Sequence, residues 1–307
     1  MVFYWYYQTR GENAVDLVLG IDGGGTGCRA ALATATGDIL GRGRGGPANI
    51  RTDLAGACAN IVDAARLAFA DAGRDPDLIG TADAVLGLAG ANVGDYKQRL
   101  EAMLPFRNSR IENDSLISLE GALGDHDGAI AALGTGTVYL GRQKGQFRPL
   151  GGWGFQIGDL GSGARIGRDL LQETLLVHDK IHAGSPLTGI ILERFNNDPS
   201  EIVEFTTTAK PADYGAFAPM VFEHAAKGDA AGQKLVERAV ADVEETLAVF
   251  DLSPTERLCL LGGLAGLYAP LLSRRYRAIM HPPLQDALGG AVAMAVRVFG
   301  KTGGGHG

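Results

Sequence analysis

The feature that most constrains the fold of this chain is a layout that occurs twice. A buried strand runs into the loop GIDGGGTGCR (residues 20–29) and a hairpin follows; from residue 128 a strand, the loop GTGT (134–137) and a second hairpin follow in the same order. Thr26 and Thr135 occupy equivalent places, 109 residues apart. Glycine-rich turns expose backbone N–H groups that can bind phosphate oxygens. The repeat therefore predicts two similar halves, each with a phosphate-binding loop.

The first loop also carries a carboxylate, Asp22, at the end of its strand. One interpretation is a glycine-rich hairpin in which Asp22 only forms the turn. The other is a site where Asp22 holds hydrated Mg²⁺ beside phosphates, since that ion is usually bound through few carboxylates and through substrate phosphates. The second loop, at the same place in a repeated unit, favours phosphate binding.

Length and composition indicate a two-domain globular protein. The chain has 307 residues, of which 46% are hydrophobic and 21% charged, which excludes a disordered chain. Strands alternate with helical patterns, which predicts an α/β fold with a mostly parallel sheet and helices on its faces. No window of eighteen uninterrupted apolar residues indicates a membrane span.

Charge and cysteine content narrow the classes of function. The formal net charge is −7 and no basic block is present, so we expect no nucleic-acid partner and no membrane partner. Cys28, Cys58 and Cys259 lie far apart, which excludes C-x-x-C zinc and redox motifs and fits a reducing cytoplasm. The N-terminal MVFYWYY lacks the features of a signal peptide, and we interpret it as a loosely packed extension; the final KTGGGHG is predicted to be a disordered tail.

Two further motifs match functional patterns only in part. GRGRGG (41–46) matches a dinucleotide-binding pattern, but Pro47 follows and no helix opens inside it, so we interpret it as a mobile loop. His178 and His182 have the i,i+4 spacing of a zinc pair on a predicted helix. No adjacent Glu and no third ligand accompany them, so we interpret both as solvated helix side chains.

Asn113 and Asp114 follow a short strand and precede a predicted helix. Asp114 could cap the N-terminus of that helix, which is a common role for Asp. Alternatively it could act as a general base for a substrate hydroxyl. Its position at the junction between the two repeated halves favours the second interpretation.

The segment GGWGFQIGDLGSG (151–163) carries six glycines in thirteen residues. Ordering so many glycines is entropically unfavourable, so a functional requirement is indicated. Trp153 and Asp159 suit a sugar ring and its hydroxyls. The alternative, a plain long hairpin loop, explains less of the pattern.

Together these motifs resemble the N-acetylglucosamine kinase group of the BadF/BadG/BcrA/BcrD ATPase family, within the sugar kinase, heat-shock chaperone and actin superfamily. The residues that carry the resemblance are DGGGT, Asn-Asp, GTGT, GGWGxxxGDxGSG and the late LLGG (260–263). The resemblance covers about Leu17 to Phe299. It implies two actin-like (ribonuclease H-like) domains with mixed sheets flanked by helices and an ATP cleft between them. We expect an N-terminal domain at 1–121, completed by a C-terminal helix at 285–300, and a larger domain at 122–284.

The resemblance also implies roles for individual residues. Asp114 matches the catalytic aspartate and Asp22 lies on the metal side of the first loop. The sugar-contacting positions are Asn49, Asn113, Trp153 and Asp159. The ATP-binding positions are Gly23, Gly24, Gly25, Thr26, Gly134, Thr135, Gly136, Thr137, Gly262 and Gly263. One departure is Leu160, where the family usually has an acidic residue.

The expected function is an ATP- and Mg²⁺-dependent kinase that phosphorylates the 6-hydroxyl of N-acetylglucosamine or glucosamine, as a cytoplasmic homodimer. One alternative is a BadF-type ATPase that activates another enzyme; such activators hold an iron–sulfur cluster through cysteines, and no suitable pair is evident here. A second alternative is a sugar-sensing regulator. That would require a DNA-binding helix-turn-helix module, for which the sequence has no room and no basic patch.

Overall fold

A computed structural model describes residues 17–91 and 94–300. The aromatic N-terminal segment and the glycine-rich tail therefore lie outside the described residues. The chain divides into two compact units. One takes the described residues up to Gly121 and from Gln285 onward, and the other is Ala122–Leu284. None of the helices in the described ranges is both long enough and apolar enough to cross a bilayer.

The strands, in chain order, are β1 (Leu17–Gly23), β2 (Cys28–Thr34), β3 (Ile39–Gly45), β4 (Asp83–Leu88), β5 (Asn108–Asn113), β6 (Gly128–Leu133), β7 (Thr137–Gln143), β8 (Gln146–Gly151) and β9 (Arg257–Leu261). The helices are α1 (Leu54–Asp71), α2 (Tyr96–Glu101), α3 (Asp114–Leu123), α4 (Gly163–His178), α5 (Pro186–Arg194), α6 (Pro199–Thr208), α7 (Pro211–Gly215), α8 (Ala218–Ala226), α9 (Ala230–Ala248), α10 (Ala265–Tyr268), α11 (Arg274–Arg277) and α12 (Ala287–Phe299). A 3₁₀ helix spans Pro76–Thr81.

Each unit is built on a sheet that begins in the same way. The first sheet has the order β3-β2-β1-β4-β5 and the second β8-β7-β6-β9. In the first sheet, β1 pairs antiparallel with β2 on one side and parallel with β4 on the other. In the second sheet, β6 pairs in the same way with β7 and β9. The predicted repeat is thereby confirmed. The sheets are mixed rather than mostly parallel, because each hairpin contributes antiparallel pairs at one edge.

The motif GRGRGG forms most of β3, so its interpretation as a mobile loop was wrong. A Cβ added at Gly43 would lie 2.0 Å from the carbonyl oxygen of Ala64 in α1, and Gly41 and Gly45 are equally confined by that helix. Side chains alternate between the faces of a strand, so Arg42 falls on the opposite face. The glycines therefore let α1 pack directly against the backbone of the strand.

The terminal helix α12 packs on the other face of the first sheet. A Cβ at Gly20 would lie 2.5 Å from the backbone nitrogen of Val292, and one at Gly290 would lie 2.0 Å from the carbonyl oxygen of Ile117 in α3. Close backbone approach thus fixes α12 against both β1 and α3. The buried side chains Val18, Ala31, Ala33, Val85 and Ile117 complete this contact.

The second unit has its own buried core, formed by the second sheet and by residues between α4 and the segment that follows α11. The sequence pattern over residues 214–227 indicates a single helix, but the structure divides this region between α7 and α8. Pro219 accounts for the break, because it has no N–H and its ring would clash with the carbonyl of Gly215 in a continuous helix. Helix α5 was missed, although Ser185 caps it with a reciprocal hydrogen bond to Thr188.

Candidate active-site residues of the two units

The first glycine loop is a tight turn with an open face. The N–H of Gly24 donates to the carbonyl of Gly27 at 2.9 Å. Gly23 is confined, since a Cβ there would lie 2.6 Å from the side chain of Leu88, whereas Cβ atoms at Gly24 and Gly25 would meet nothing within 4 Å. The loop therefore offers backbone to an approaching ligand at the second and third glycines, beside the exposed Thr26.

Asp22 is held by an arginine that is not among the predicted site residues. Asp22 and Arg29 are register partners across β1 and β2. Two guanidinium nitrogens of Arg29, Nη2 and Nε, donate to Oδ2 of Asp22 at 2.6 and 3.2 Å. The third, Nη1, donates to Asp286 at 2.7 Å. The hairpin register could have predicted this pair, because residues directly opposite in adjacent strands lie close enough to interact.

The donor set fits a magnesium ion that is held mostly by a nucleotide. In the described parts of the chain, no three His, Cys, Asp or Glu side chains are grouped as a metal centre would require. Both hydrogen bonds from Arg29 go to Oδ2 of Asp22, which leaves Oδ1 to accept another ligand. One carboxylate oxygen with phosphates and waters is a usual way to bind Mg²⁺.

Asp114 is the first residue of α3, immediately after β5. The side chain of Asn113, and not that of Asp114, accepts the capping bond, from the N–H of Ser115 at 2.9 Å. The hydroxyl of Ser115 also donates to Asn113, at 2.5 Å. Burial raises the pKa of Asp114; hydrogen bonding from the backbone of Ser115 opposes this rise, and the negative charge of Asp22 adds to it. Asn113 is therefore the capping residue, and Asp114 is a partly buried carboxyl of raised pKa.

Asn49 lies between β3 and α1 and is partly buried. Its Oδ1 accepts the N–H of Arg51 at 3.0 Å, which closes a turn. A Cβ at Gly90 would lie 3.0 Å from the same oxygen. With Oδ1 engaged, the amide Nδ2 is the group of Asn49 that can donate to a ligand.

The second glycine loop, in the second unit, is tied to the segment that contains Asp159. The N–H of Gly134 donates to the carbonyl of Gly136 at 3.0 Å. The hydroxyl of Thr137 donates to the carbonyl of Leu160 at 3.1 Å, so this hydroxyl is engaged within the protein. A Cβ at Gly136 would lie 2.8 Å from Oδ2 of Asp159. The predicted phosphate loop and the predicted sugar loop are thus neighbours.

Asp159 adopts a left-handed backbone conformation, with φ of 54°. Its Oδ1 accepts the N–H of Gly154 at 3.2 Å. Burial raises the pKa of Asp159, and the hydrogen bonds from the backbone partly offset this. The cap of α4 is Ser162, whose hydroxyl accepts the N–H of Arg165 at 3.2 Å. Asp159 therefore does not cap that helix, and its carboxylate faces the second glycine loop.

A shallow cavity of about 390 Å³ brings these groups of the second unit together. It is lined by Gly134–Thr137, Gly152, Gly154, Asp159 and Gly262. Gly262 has φ of +88°, and a Cβ there would lie 2.4 Å from the carbonyl oxygen of Leu133. Only glycine fits that turn. Gly263 is open, with nothing within 4 Å of an added Cβ.

The predicted sugar loop carries exposed apolar side chains. Trp153 is 78% exposed and Ile157 is 84% exposed. Leu160, where the resemblance leads one to expect an acidic residue, is exposed, and its carbonyl accepts the hydroxyl of Thr137. The loop therefore presents a large apolar surface near the carboxylate of Asp159.

The histidine pair does not have the geometry that the sequence spacing suggested. Helix α4 ends at His178, and His182 lies beyond it. Nδ1 of His182 is 2.8 Å from Oε1 of the buried Glu173, and Nζ of Lys234 is 3.1 Å from Oε2. This cluster links α4 to α9 and is structural, so the description of both histidines as solvated helix side chains was wrong for His182.

A repeated unit of this topology, with a glycine–threonine loop after the first strand of each sheet, is an actin-like fold. Residues 19–289 match the BadF/BadG/BcrA/BcrD ATPase family, and the chain belongs to it. A glucosamine kinase of Vibrio cholerae is 35% identical over 281 residues, covering 90% of this chain and 95% of that relative. An N-acetyl-D-glucosamine kinase of Dictyostelium discoideum is 29% identical over 235 residues, covering 70% and 72%. A solved structure from Chromobacterium violaceum, described as a candidate N-acetylglucosamine kinase, has a TM-score of 0.81 at 28% identity and covers 92% of this chain and 99% of that one.

The cysteines argue against the activator alternative. Cys28, Cys58 and Cys259 are each buried and unpaired. Burial and the charge of Asp22 raise the pKa of Cys28 to about 12, so its thiol stays protonated. An iron–sulfur cluster is held by Cys thiolates, whereas all three of these Cys side chains are buried within the protein.

Proposed function

We propose that this chain is an ATP-dependent amino-sugar kinase that transfers the γ-phosphate to the 6-hydroxyl of glucosamine or N-acetylglucosamine. Membership of the family and the kinase relatives support the reaction class. The observation that carries the proposal is Asp114, a partly buried carboxyl of raised pKa that follows the capping residue Asn113.

In the proposed reaction, Asp114 accepts the proton of the sugar hydroxyl as the hydroxyl oxygen attacks the γ-phosphorus. An oxygen–phosphorus bond forms to the sugar, the bond from the γ-phosphorus to the bridging oxygen breaks, and ADP leaves. A base is most effective when its pKa approaches the working pH, which burial of Asp114 favours. Mg²⁺, when bound with ATP through Asp22, would neutralise charge on the phosphates.

The nucleotide contacts follow from the open glycines. We propose that backbone groups of Gly24–Thr26 and of Gly134–Gly136 bind phosphate oxygens. We propose that adenosine rests on the turn at Gly262–Gly263 and that its base enters a mainly apolar cavity of about 500 Å³. Phe222, Val236 and Leu267 line this cavity, and Gln233 and Glu237 add polar groups. An apolar pocket with a few polar groups is the usual environment of a small planar ligand.

The sugar contacts are proposed for Asn49, Trp153 and Asp159. The free amide of Asn49 can donate, the Asp159 carboxylate can accept, and the exposed indole of Trp153 can pack on the ring. A site built to bind a hydroxyl discriminates against analogues without it, because its own polar groups lose their partners. We also propose a cytoplasmic location, because the cysteines are unpaired. The family resemblance supports a homodimer, which light scattering of the purified chain tests.

The decisive experiment measures ADP release with Mg·ATP over a panel of glucosamine, N-acetylglucosamine, mannosamine, glucose and no sugar. We expect kcat/KM for glucosamine or N-acetylglucosamine to exceed that for glucose by at least about tenfold, a difference of about 1.4 kcal/mol. Phosphorus NMR of the product should show a phosphate ester at the 6-position. ADP release that no sugar stimulates, from a protein that binds ATP, would favour the ATPase alternative.

The sugar contacts are tested by two-substrate kinetics. Asn49→Ala and Trp153→Ala are expected to raise the sugar KM, by about five- to thirtyfold for Asn49 since one lost hydrogen bond is worth about 1–2 kcal/mol, with little change in the ATP KM. Phe147→Ala is the matched control, because Phe147 is an exposed aromatic on β8 outside these contacts. Asp159→Asn tests whether Asp159 contacts the sugar or belongs to the neighbouring phosphate loop. A raised sugar KM supports sugar contact, whereas a raised ATP KM alone would assign Asp159 to the phosphate loop.

A further inference from the structure

We propose that Arg29 is a positioning residue for the metal-facing carboxylate, holding one oxygen of Asp22 so that the other is presented to the metal of Mg·ATP. This inference rests on the proposed function, in which Asp22 contacts that metal. Arg29 is the last residue of the GIDGGGTGCR segment and lies on the second strand, after the glycines that would contact phosphate.

The geometry of the pair restricts the carboxylate strongly. Nη2 and Nε of Arg29 both donate to the same oxygen, Oδ2, at 2.6 and 3.2 Å. The Asp22 side chain is 22% exposed and that of Arg29 is 39% exposed, so solvent competes only in part for this pair. A carboxylate with one oxygen fixed in this way has few orientations available for the other. Oδ1 is therefore the oxygen that remains for a metal.

The other end of Arg29 is anchored to the terminal helix. Nη1 donates to Oδ2 of Asp286 at 2.7 Å. Asp286 is the N-cap of α12, where its Oδ1 accepts the N–H of Gly289 at 2.9 Å. Hydrogen bonds from Gly289 and Arg29 keep the pKa of Asp286 below its usual value despite burial, so it stays ionised. The planar guanidinium thus bridges two carboxylates, one on β1 and one at the start of a helix fixed by close backbone packing.

An ammonium group cannot replace this bridge. Lysine retains the charge but has no rigid fork, so it cannot donate to two carboxylates in a fixed plane. Arg29→Lys therefore separates geometry from charge. Arg44 provides the matched control, because it is the register partner of Arg29 on β3 and is exposed. No ion pair of Arg44 occurs among the residues that the structure describes.

The test measures the affinity of Mn²⁺ for the complex of the full chain with a non-hydrolysable ATP analogue, by electron paramagnetic resonance, which does not depend on turnover. We expect Arg29→Lys to weaken Mn²⁺ binding by about five- to tenfold, and Asp22→Asn to weaken it at least as much. Arg44→Lys should stay within about twofold of the unsubstituted protein. The Mg²⁺ concentration that half-saturates activity should shift in the same order.

Asp286→Asn gives a second test of the bridge. Asparagine is also a good N-cap, so α12 keeps its cap while the ion pair with Arg29 is lost. We expect Mn²⁺ affinity to fall by about two- to fivefold with an unchanged melting temperature. If Arg29→Lys lowers the melting temperature markedly, its loss of Mn²⁺ affinity could result from unfolding. Asp286→Asn then tests whether Arg29 positions Asp22.

The outcomes separate the two proposals. Mn²⁺ binding that is weakened in Asp22→Asn but unchanged in Arg29→Lys and Asp286→Asn would overturn the positioning role and leave Asp22 with its metal. Unchanged binding in Asp22→Asn would overturn the metal role itself. Weakening in Arg29→Lys alone would mean that Arg29 acts on the phosphates directly, which also overturns the inference.

Discussion

At the scale of single residues, the role open to Asp114 depends on its neighbour Asn113. Asn113 takes the capping bond from Ser115, so the carboxylate one residue later is left for another role. From the sequence, either residue could have been the cap, because Asn and Asp are equally good at that position. The sequence was enough to predict that one of Asn113 and Asp114 caps the helix. Which of them does so depends on the backbone geometry at the end of β5.

The first prediction concerns Asp114 as a base. Asp114→Asn keeps the shape but removes the proton acceptor, so we expect kcat to fall by about 10²- to 10⁴-fold with ATP affinity nearly unchanged. Since the raised pKa belongs to the group that must be ionised, activity should be lost as the pH falls through that pKa. Single-turnover kinetics over a pH series, with nucleotide binding by calorimetry, measure both.

Glu112→Gln is the control for that experiment, because Glu112 lies two residues away and pairs with Arg110 at 2.7 Å. It should retain kcat within about threefold. If Asp114→Asn retained more than half of the chemical rate, the general-base role would be wrong.

The second prediction concerns stability at the same position. The pKa of Asp114 is raised in the folded protein, so between the unfolded and folded pKa values the native state binds more protons and stability falls as the pH rises. Above both values the ionised group remains destabilising. Asp114→Asn should therefore raise the melting temperature at pH 7.5, and the difference should shrink towards pH 3. A lower melting temperature at pH 7.5 would show that the carboxylate stabilises the fold.

At the scale of elements, the alternation in β3 shows why one motif was misjudged. Pro47 and the absence of a helix inside GRGRGG favoured a loop, whereas the structure uses those glycines on one face of a strand, where α1 contacts the backbone. The hairpin alternation was visible in the sequence, but the close approach of the helix was not. The break between α7 and α8 was predictable from Pro219, because proline disfavours the helix interior.

The third prediction tests that approach. Gly43→Ala would place a Cβ 2.0 Å from a backbone oxygen of α1, so strand and helix must separate. We expect it to destabilise the protein by about 1–3 kcal/mol, as overpacking does. Gly189→Ala in α5 is the control, because an added Cβ there meets nothing within 4 Å. It should be neutral or stabilise by about 0.5–1 kcal/mol. Urea denaturation of both variants gives the comparison; equal stabilities would contradict the packing argument.

The fourth prediction concerns the first phosphate loop. An added side chain at Gly25 meets nothing within 4 Å, so Gly25→Val should fold normally. It would nevertheless crowd a bound phosphate, and we expect ATP affinity to fall at least about tenfold. Gly189→Val is the matched control, with open space and no role in the loop. An unchanged ATP dissociation constant in Gly25→Val would remove this loop from the proposed nucleotide site.

At the scale of the whole molecule, the first unit combines residues from both ends of the described chain. The two sheets repeat one topology, and this repeat could be predicted because the glycine–threonine loops and hairpins recur in the sequence. No local sequence pattern predicts that α12 packs in the first unit. It depends on backbone contacts at Gly20 and Gly290, which connect residues about 270 positions apart in one case. Only the family resemblance suggested it.

The last prediction follows from that return. Residues 122–284 contain the whole of the second buried core, so we expect this fragment to fold alone. Residues 1–121 alone lack α12 and would expose Val18, Val85 and Ile117, among other side chains that it covers. Exposing several such side chains at about 1.5–3 kcal/mol each exceeds the stability of a domain of this size.

A rearranged chain tests the reason for the failure. A Cβ at Gly300 would lie 2.9 Å from the carbonyl oxygen of Ala35, and Thr34 is the register partner of Leu17, so the end of α12 lies near the start of β1. A chain that places residues 285–307 before residues 1–121 should therefore fold cooperatively, whereas 1–121 alone should not. Far-ultraviolet circular dichroism and urea denaturation distinguish them. If 1–121 unfolded with the same midpoint as the rearranged chain, α12 would contribute nothing to the first unit and the packing at Gly20 would be wrong.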